Sequence, residues 1–208
     1  HLMRVGFDAG PMGSAYSGIG QYVRCLFPAM FTCTQSIEWV AYISSNIFNK
    51  PFPLNFPSHV SVKRSGSWWN FPTQQDQKPL DIFHGTNFKA PNYGQQHTVL
   101  TIHDIWLPRN PHFSKKLFGQ ALSSWKLRLR ARHASRIVAV SQFSAREIQE
   151  VFHLPSDRIA VIHHGRSPNM FPERDDSKFQ EVKARLKLPV RPFVLFVGGA
   201  EPRKNHAV

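Results

Sequence analysis

The order of elements written into Arg136 to His163 constrains this chain more than any other stretch. RIVAV is an apolar, β-branched run, and SQFSAREIQEVF carries helical spacing. Leu154-Pro155 ends that pattern, and RIAVIH (Arg158 to His163) is a second apolar run. Strand, helix and strand in so short a space are the rhythm of a βαβ unit, whose strands lie parallel in one sheet. Ser144 and Glu147 have capping-box spacing and predict the helix start.

The same alternation runs upstream. Arg4 to Asp8 (RVGFD), Glu38 to Ser44, His59 to Lys63, Asp81 to His84 and Thr98 to His103 read as short strands. Ile19, Tyr22, Val23, Leu26, Phe27 and Met30 recur at helical spacing, so a helix starts near Gly18. A further helix runs on from Ser114, with Leu117, Phe118, Ala121, Leu122, Trp125 and Leu129 on one side and cations on the other. The predicted fold class is α/β, a parallel sheet flanked by helices. At 208 residues, with 41% hydrophobic and 12% aromatic content, the chain can build a real core. No run approaches the ~20 apolar residues that span a bilayer. Cys25 and Cys33 suit reduced thiols in a cytoplasmic protein.

Thr98 to Pro108 (TVLTIHDIWLP) reads as a buried strand that delivers His103-Asp104 at its C-terminal end and then stops at Pro108. Ligands of open parallel sheets sit beyond those ends. A titratable pair there is placed for chemistry; the plainer alternative is a histidine tied to neighbouring backbone, with Asp104 capping the next turn. Asp81 to His84 should end beside it, bringing His84 and Asn87 to the same cleft. The loop after the first strand, AGPMGSAYSGIGQY, leads glycines into a helix N-terminus, an arrangement that binds anions through backbone N–H groups. Its spacing is not G-x-G-x-x-G, so a dinucleotide fingerprint is a poor match. No Asp-x-Asp is present, Asp175-Asp176 falls in a connector, and adjacent His163 and His164 point different ways; no metal is expected.

The net charge of +13 is uneven: from Asp104 to Glu147 there is no acidic residue, while Arg109, Lys115, Lys116, Lys126, Arg128, Arg130, Arg132, Arg136 and Arg146 fall there. Such a block attracts phosphorylated substrates, polyanions or an anionic membrane surface, or is a solvated helix face. A non-enzymatic basic module for nucleic acid or anionic membrane is the competing class, although no nucleic-acid motif is visible. Ser65 to Pro79, with Trp68, Trp69 and Phe71, reads as a loop whose aromatics mark an acceptor or membrane contact or, the preferred reading, fold back as a lid over the core.

Six motifs, in order, resemble the retaining GT-B glycosyltransferases of the large family that includes bacterial mannosyltransferases of polysaccharide and lipopolysaccharide synthesis. They are SGIGQY (Ser17 to Tyr22), DIFHGTN (Asp81 to Asn87), TIHDIWLP (Thr101 to Pro108), VAVSQFSAREI (Val138 to Ile148), VIHHG (Val161 to Gly165) and VLFVGGAEPRKN (Val194 to Asn205). The resemblance implies a Rossmann-like, acceptor-side N-terminal domain over 3–170, a linker and basic helix over 171–192, and the opening strand of a donor-binding domain over 193–208. It implies a hexose, mannose above others, carried on a nucleotide diphosphate such as GDP-mannose and passed to a saccharide or lipid-linked acceptor. Gly18 and Gly20 would face the diphosphate, His103 the transferred sugar, and Arg203 and Lys204 the leaving phosphates. Tyr16, Asn87, Asp104 and Ser141 are the remaining cleft candidates. Many relatives carry Arg where this chain has Gly199. The family's C-terminal carboxylates have no counterpart here, so the chain reads as an inactive fragment of a cytoplasmic enzyme, peripheral to the inner face of a bacterial membrane.

Overall fold

The computed structural model describes residues 2–14, 17–34, 36–44, 56–65, 78–90, 97–110, 117–167, 170–172, 174–198 and 204–205. They form two units, His1–Arg166 and Ser167–Val208.

The first unit is a seven-stranded sheet. Its strands are β1 (Met3–Asp8), β2 (Ile37–Ser44), β3 (Val60–Ser65), β4 (Ile82–Gly85), β5 (His97–Ile102), β6 (Arg136–Ala139) and β7 (Ile159–Val161). Their order is β3-β2-β1-β4-β5-β6-β7, and every pairing is parallel. The connection after β3 returns to the far side of β1, so the winding reverses between β1 and β4. That switch point is where open α/β sheets leave a crevice. The expected neighbourhood of the DIFH and TVLTI strands holds, with His84 opposite Val99 and Gly85 opposite Leu100.

Burial on both sheet faces explains why these strands read as nearly continuous apolar runs. Trp39, Ala41 and Ile43 of β2 join Phe7, Val23, Phe27 and Phe31 in one cluster. Val40 and Tyr42, pointing the other way, pack with Leu80 and Phe83. A third cluster joins Leu100, Ile102 and Ile137 to Leu127, Ala131, Ile148 and Phe152. The helices are α1 (Gly18–Cys33), a single turn α2 (Trp106–Arg109), α3 (Leu117–His133), α4 (Gln142–Phe152) and, in the second unit, α5 (Asp176–Arg185).

Three sequence expectations change. The cap of α4 is Ser141, whose Oγ accepts from Ser144 N at 3.0 Å; Ser144 lies inside the helix and is buried. A serine directly after β6 can cap three residues sooner than the capping box suggested. On α3, Trp125 is 59% exposed, while Leu127 and Ala131 turn inward. The apolar residues of α3 are scattered round its axis, so packing on Leu100 and Ile137 selects the buried side. The basic block is not acid-free in space, since Arg109 pairs with Glu147 at 2.9 Å and Glu150 at 3.0 Å. In the second unit, 193–198 forms no ladder among the described residues, and Val194 is 98% exposed. The aromatic lid expected over Ser65 to Pro79 falls almost wholly outside the described residues.

Candidate functional site

Asp8, Gly85 and Ile102 end β1, β4 and β5 on one edge of the sheet. His103 follows β5 directly, half-buried. Its Nε2 lies 2.9 Å from the carbonyl oxygen of Thr86, in the turn after β4. A carbonyl only accepts, so Nε2 donates. The plainer sequence alternative described that contact, a ring tied to neighbouring backbone. Asp104 likewise behaves as the alternative held: it is exposed, and its Oδ1 accepts from Trp106 N at 3.1 Å.

The surroundings of His103 go beyond a packed core histidine. Tyr22, one turn into α1, meets it edge-on at 5.0 Å between ring centroids. The first turns of α1 and the histidine after β5 therefore lie side by side. His164, after β7, stacks on His103 at 5.5 Å with the planes 21° apart, and Tyr22 also meets His164 at 4.7 Å. Phe88 contacts His103 at 5.8 Å and 76°. Below these rings, the buried Thr101 Oγ1 lies 2.8 Å from His84 Nε2 and 3.2 Å from the Tyr22 hydroxyl.

Burial sets the protonation of this cluster. Desolvation, and secondarily the charge of His103, lowers His84 to about 4. Burial also lowers His103; the Thr86 carbonyl opposes that shift, His164 adds to it, and Asp104 opposes it. Both imidazoles are neutral at pH 7. Asp8, at the switch point, is 2% exposed, and burial raises it to about 6 against the opposing pull of the Gly10 N–H and Lys89. Its Oδ1 accepts from Gly10 N at 2.9 Å, and Oδ2 has no hydrogen-bond partner among the described residues.

The two glycines of the anion loop differ. A Cβ on Gly20 would lie 2.5 Å from Pro11 O and 2.7 Å from Ser14 O, so only glycine fits where the helix meets the loop. Its N–H already donates to Ser17 Oγ, the helix cap, at 3.2 Å, so in this structure it does not face an anion. Gly18 is exposed, and a Cβ there would meet nothing within 4 Å. Arg24 donates to Met12 O and Ser14 O at 2.8 and 2.7 Å and pins the loop from behind.

Asn87 sits half-buried in the turn between Thr86 and Phe88. Ser141 is committed to capping α4, its Oγ also 3.1 Å from Ser144 Oγ. Lys204 is exposed in the second unit, while Tyr16 and Arg203 lie outside the described residues. Sequence reasoning placed Tyr22 only on a helix face, and it missed Thr86, Phe88 and His164 as partners of His103. The signal for His164 was its place at a strand end, in VIHHG, the same logic that singled out His103. Among the described residues no group of three or more His, Cys, Asp or Glu is arranged to hold a metal ion. No helix there is long and apolar enough to cross a membrane.

Comparison with known proteins bears on the family and the fold. Residues 33–169 match the model of Glycosyltransferase Family 4. Over 132 residues the chain is 32% identical to the O-antigen chain mannosyltransferase B of Escherichia coli, covering 60% of this chain and 32% of that protein. In structure it resembles HepE of Anabaena, solved in complex with UDP, with a TM-score of 0.52, 15% identity, and coverage of 89% of this chain and 50% of that one. It also resembles the wall teichoic acid polymerase TagF, with a TM-score of 0.52, 14% identity, and coverage of 91% and 45%. These structural likenesses speak for the fold alone, a Rossmann-like half of the GT-B type. The chain spans about a third of the curated relative's length and half or less of these structures. Most of the sheet whose ends meet at His103 lies within the matched residues, and the chain belongs to glycosyltransferase family 4.

Proposed function

We propose that the protein transfers a hexose, mannose before others, from a nucleotide diphosphate donor such as GDP-mannose to a saccharide or lipid-linked acceptor, with retention of configuration, in the synthesis of cell-surface polysaccharide or lipopolysaccharide. The observation that carries this reading is the half-open imidazole of His103 at the switch edge, within ring contact of the helix that follows the glycine loop. Kinship with an O-antigen mannosyltransferase supports the choice of mannose and of a surface polymer.

In this reading the donor diphosphate lies at the head of α1. Gly18 is the glycine that faces it, because the Gly20 N–H is used inside the cap. Helix N-termini favour anions through their unpaired N–H groups and dipole. As the bond between the anomeric carbon and the phosphate oxygen breaks, negative charge gathers on the leaving diphosphate. Lys204 and Arg203 are the residues proposed to meet it, as preset cations and without a divalent ion. Asn87 stands beside the sugar. Tyr16 is proposed as a further cleft residue, while Asp104 and Ser141 hold backbone and help only by fixing the cleft. The cationic block supports a position at an anionic membrane surface, where a lipid-linked acceptor would be met.

The test is a donor panel run on the full-length protein with chelator present. Saturable transfer from GDP-mannose or a close relative, giving a product of the donor's anomeric configuration, is the expected result. No transfer from any nucleotide sugar, together with salt-sensitive binding to nucleic acid, would overturn it in favour of a basic binding module.

A further inference from the structure

The turn after β4 is unusually constrained for a loop. Phe88 adopts φ 56°, the left-handed region that a bulky residue enters only under compulsion. The turn is pinned from three sides. Thr86, fully buried, donates through Oγ1 to Asp8 O at 2.7 Å. The Phe88 N–H points to Thr101 O at 3.4 Å, and Arg130 Nη1 reaches Phe88 O at 3.4 Å. At its start the chain folds back so closely that a Cβ on Gly85 would lie 2.0 Å from Lys89 O. Core packing alone does not demand this shape, because the Phe88 ring is only partly buried against the cluster of Leu100 and Ile102. What the shape achieves is local to His103. It aims the Thr86 carbonyl at Nε2 and lays the Phe88 ring against the imidazole.

The chemical consequence follows from the inventory of imidazole. A neutral ring carries one proton, and a carbonyl acceptor at Nε2 fixes that proton there. Nδ1 is then a lone-pair acceptor, and among the described residues it has no hydrogen-bond partner. An acceptor of this kind takes an O–H donor. It does not take a diphosphate oxygen, which at pH 7 carries no proton to offer.

We propose that the Thr86–Phe88 turn is the positioning device of this site: it holds His103 as the Nε2–H tautomer, so that Nδ1 accepts a hydrogen bond from a hydroxyl of the sugar. Phe88 is the positioning residue that locks the ring. The inference rests on the transferase reading for the identity of the ligand, and on the geometry alone for the tautomer.

The experiment uses full-length protein with ¹⁵N-labelled histidine, read by long-range ¹H–¹⁵N correlation at pH 7.5, beside steady-state kinetics. His103 is expected as the Nε2–H tautomer. Phe88→Gly accepts the left-handed backbone without strain and removes only the ring. It should give a mixture of tautomers and lower kcat by roughly 10- to 100-fold, the usual cost of a misplaced catalytic contact, with KM for the donor nearly unchanged. Phe88→Tyr should restore both. An Nδ1–H tautomer in the wild-type protein would overturn the proposal. So would a Phe88→Gly variant that leaves tautomer and kcat unaltered. The tautomer readout needs no turnover. A protein that transfers no sugar, yet shows the tautomer change in Phe88→Gly, refutes the transferase reading and supports the role of the turn.

Discussion

His103→Ala in the full-length protein is expected to lower sugar transfer by roughly 10²- to 10³-fold, the range seen when one preorganised polar contact to a reacting group is removed. The substitution takes away Nδ1, which has no hydrogen-bond partner among the described residues, and the ring that Tyr22 and His164 pack against. It also leaves Thr86 O without its donor, which costs about 1–2 kcal/mol of stability and by itself would be mistaken for loss of function. His103→Gln separates the two effects. Its amide N–H can still reach the Thr86 carbonyl, so stability should return, but it places no lone pair where Nδ1 stood. Melting temperature and kcat measured on the same samples check this, with recovery of the first and not the second as the expected pattern.

Asp8→Asn is expected to stabilise the protein by about 1–3 kcal/mol at pH 8 and by almost nothing near pH 4. Its folded value, about 6, lies above its ordinary 3.8 because the carboxylate is buried at the end of β1. A raised carboxyl contributes stability that is fully present below 3.8 and is lost as pH rises through about 6. The full shift corresponds to about 3 kcal/mol. The lower end of the range allows for an amide N–H that finds no acceptor where Oδ2 now has no partner. The contact from Gly10 N to Oδ1 survives in asparagine, so the loop before α1 keeps its anchor. Denaturant melts of both proteins at pH 4, 6 and 8 give the comparison directly. A constant difference across that range would mean that Asp8 is not titrating inside the fold.

Much of the fold could be read from the chain because burial on both faces leaves each strand of a parallel sheet as an apolar run with a clear end. Val5, Phe7, Val40, Leu100 and Ile137 are buried where those runs lie. The neighbourhood of β4 and β5 followed from their order, as did the start of α1 at Gly18 behind its cap Ser17. The partners of His103 were harder. Tyr22, Thr86, Phe88 and His164 come from four separate segments, and no local period records which strand ends will lie side by side. Phe88 is the clearest case. Its left-handed backbone comes from tertiary pinning and breaks the local preference, so a pattern of residue types could not have announced it. The inward face of α3 was misjudged for the opposite reason. Leu127 and Ala131 are ordinary helix residues whose burial is chosen by the sheet beneath them, while the larger Trp125 stays outside.

The central claim is that the ends of β1, β4 and β5, with the head of α1, hold the donor beside His103. Histidine-selective NMR during titration of the full-length protein with its nucleotide sugar tests this most directly. The ring signals of His103 and His164 should move together along one saturable curve, while His97, at the opposite end of β5, stays where it is. Saturation that moves His97 and leaves the His103 and His164 signals still would contradict the account.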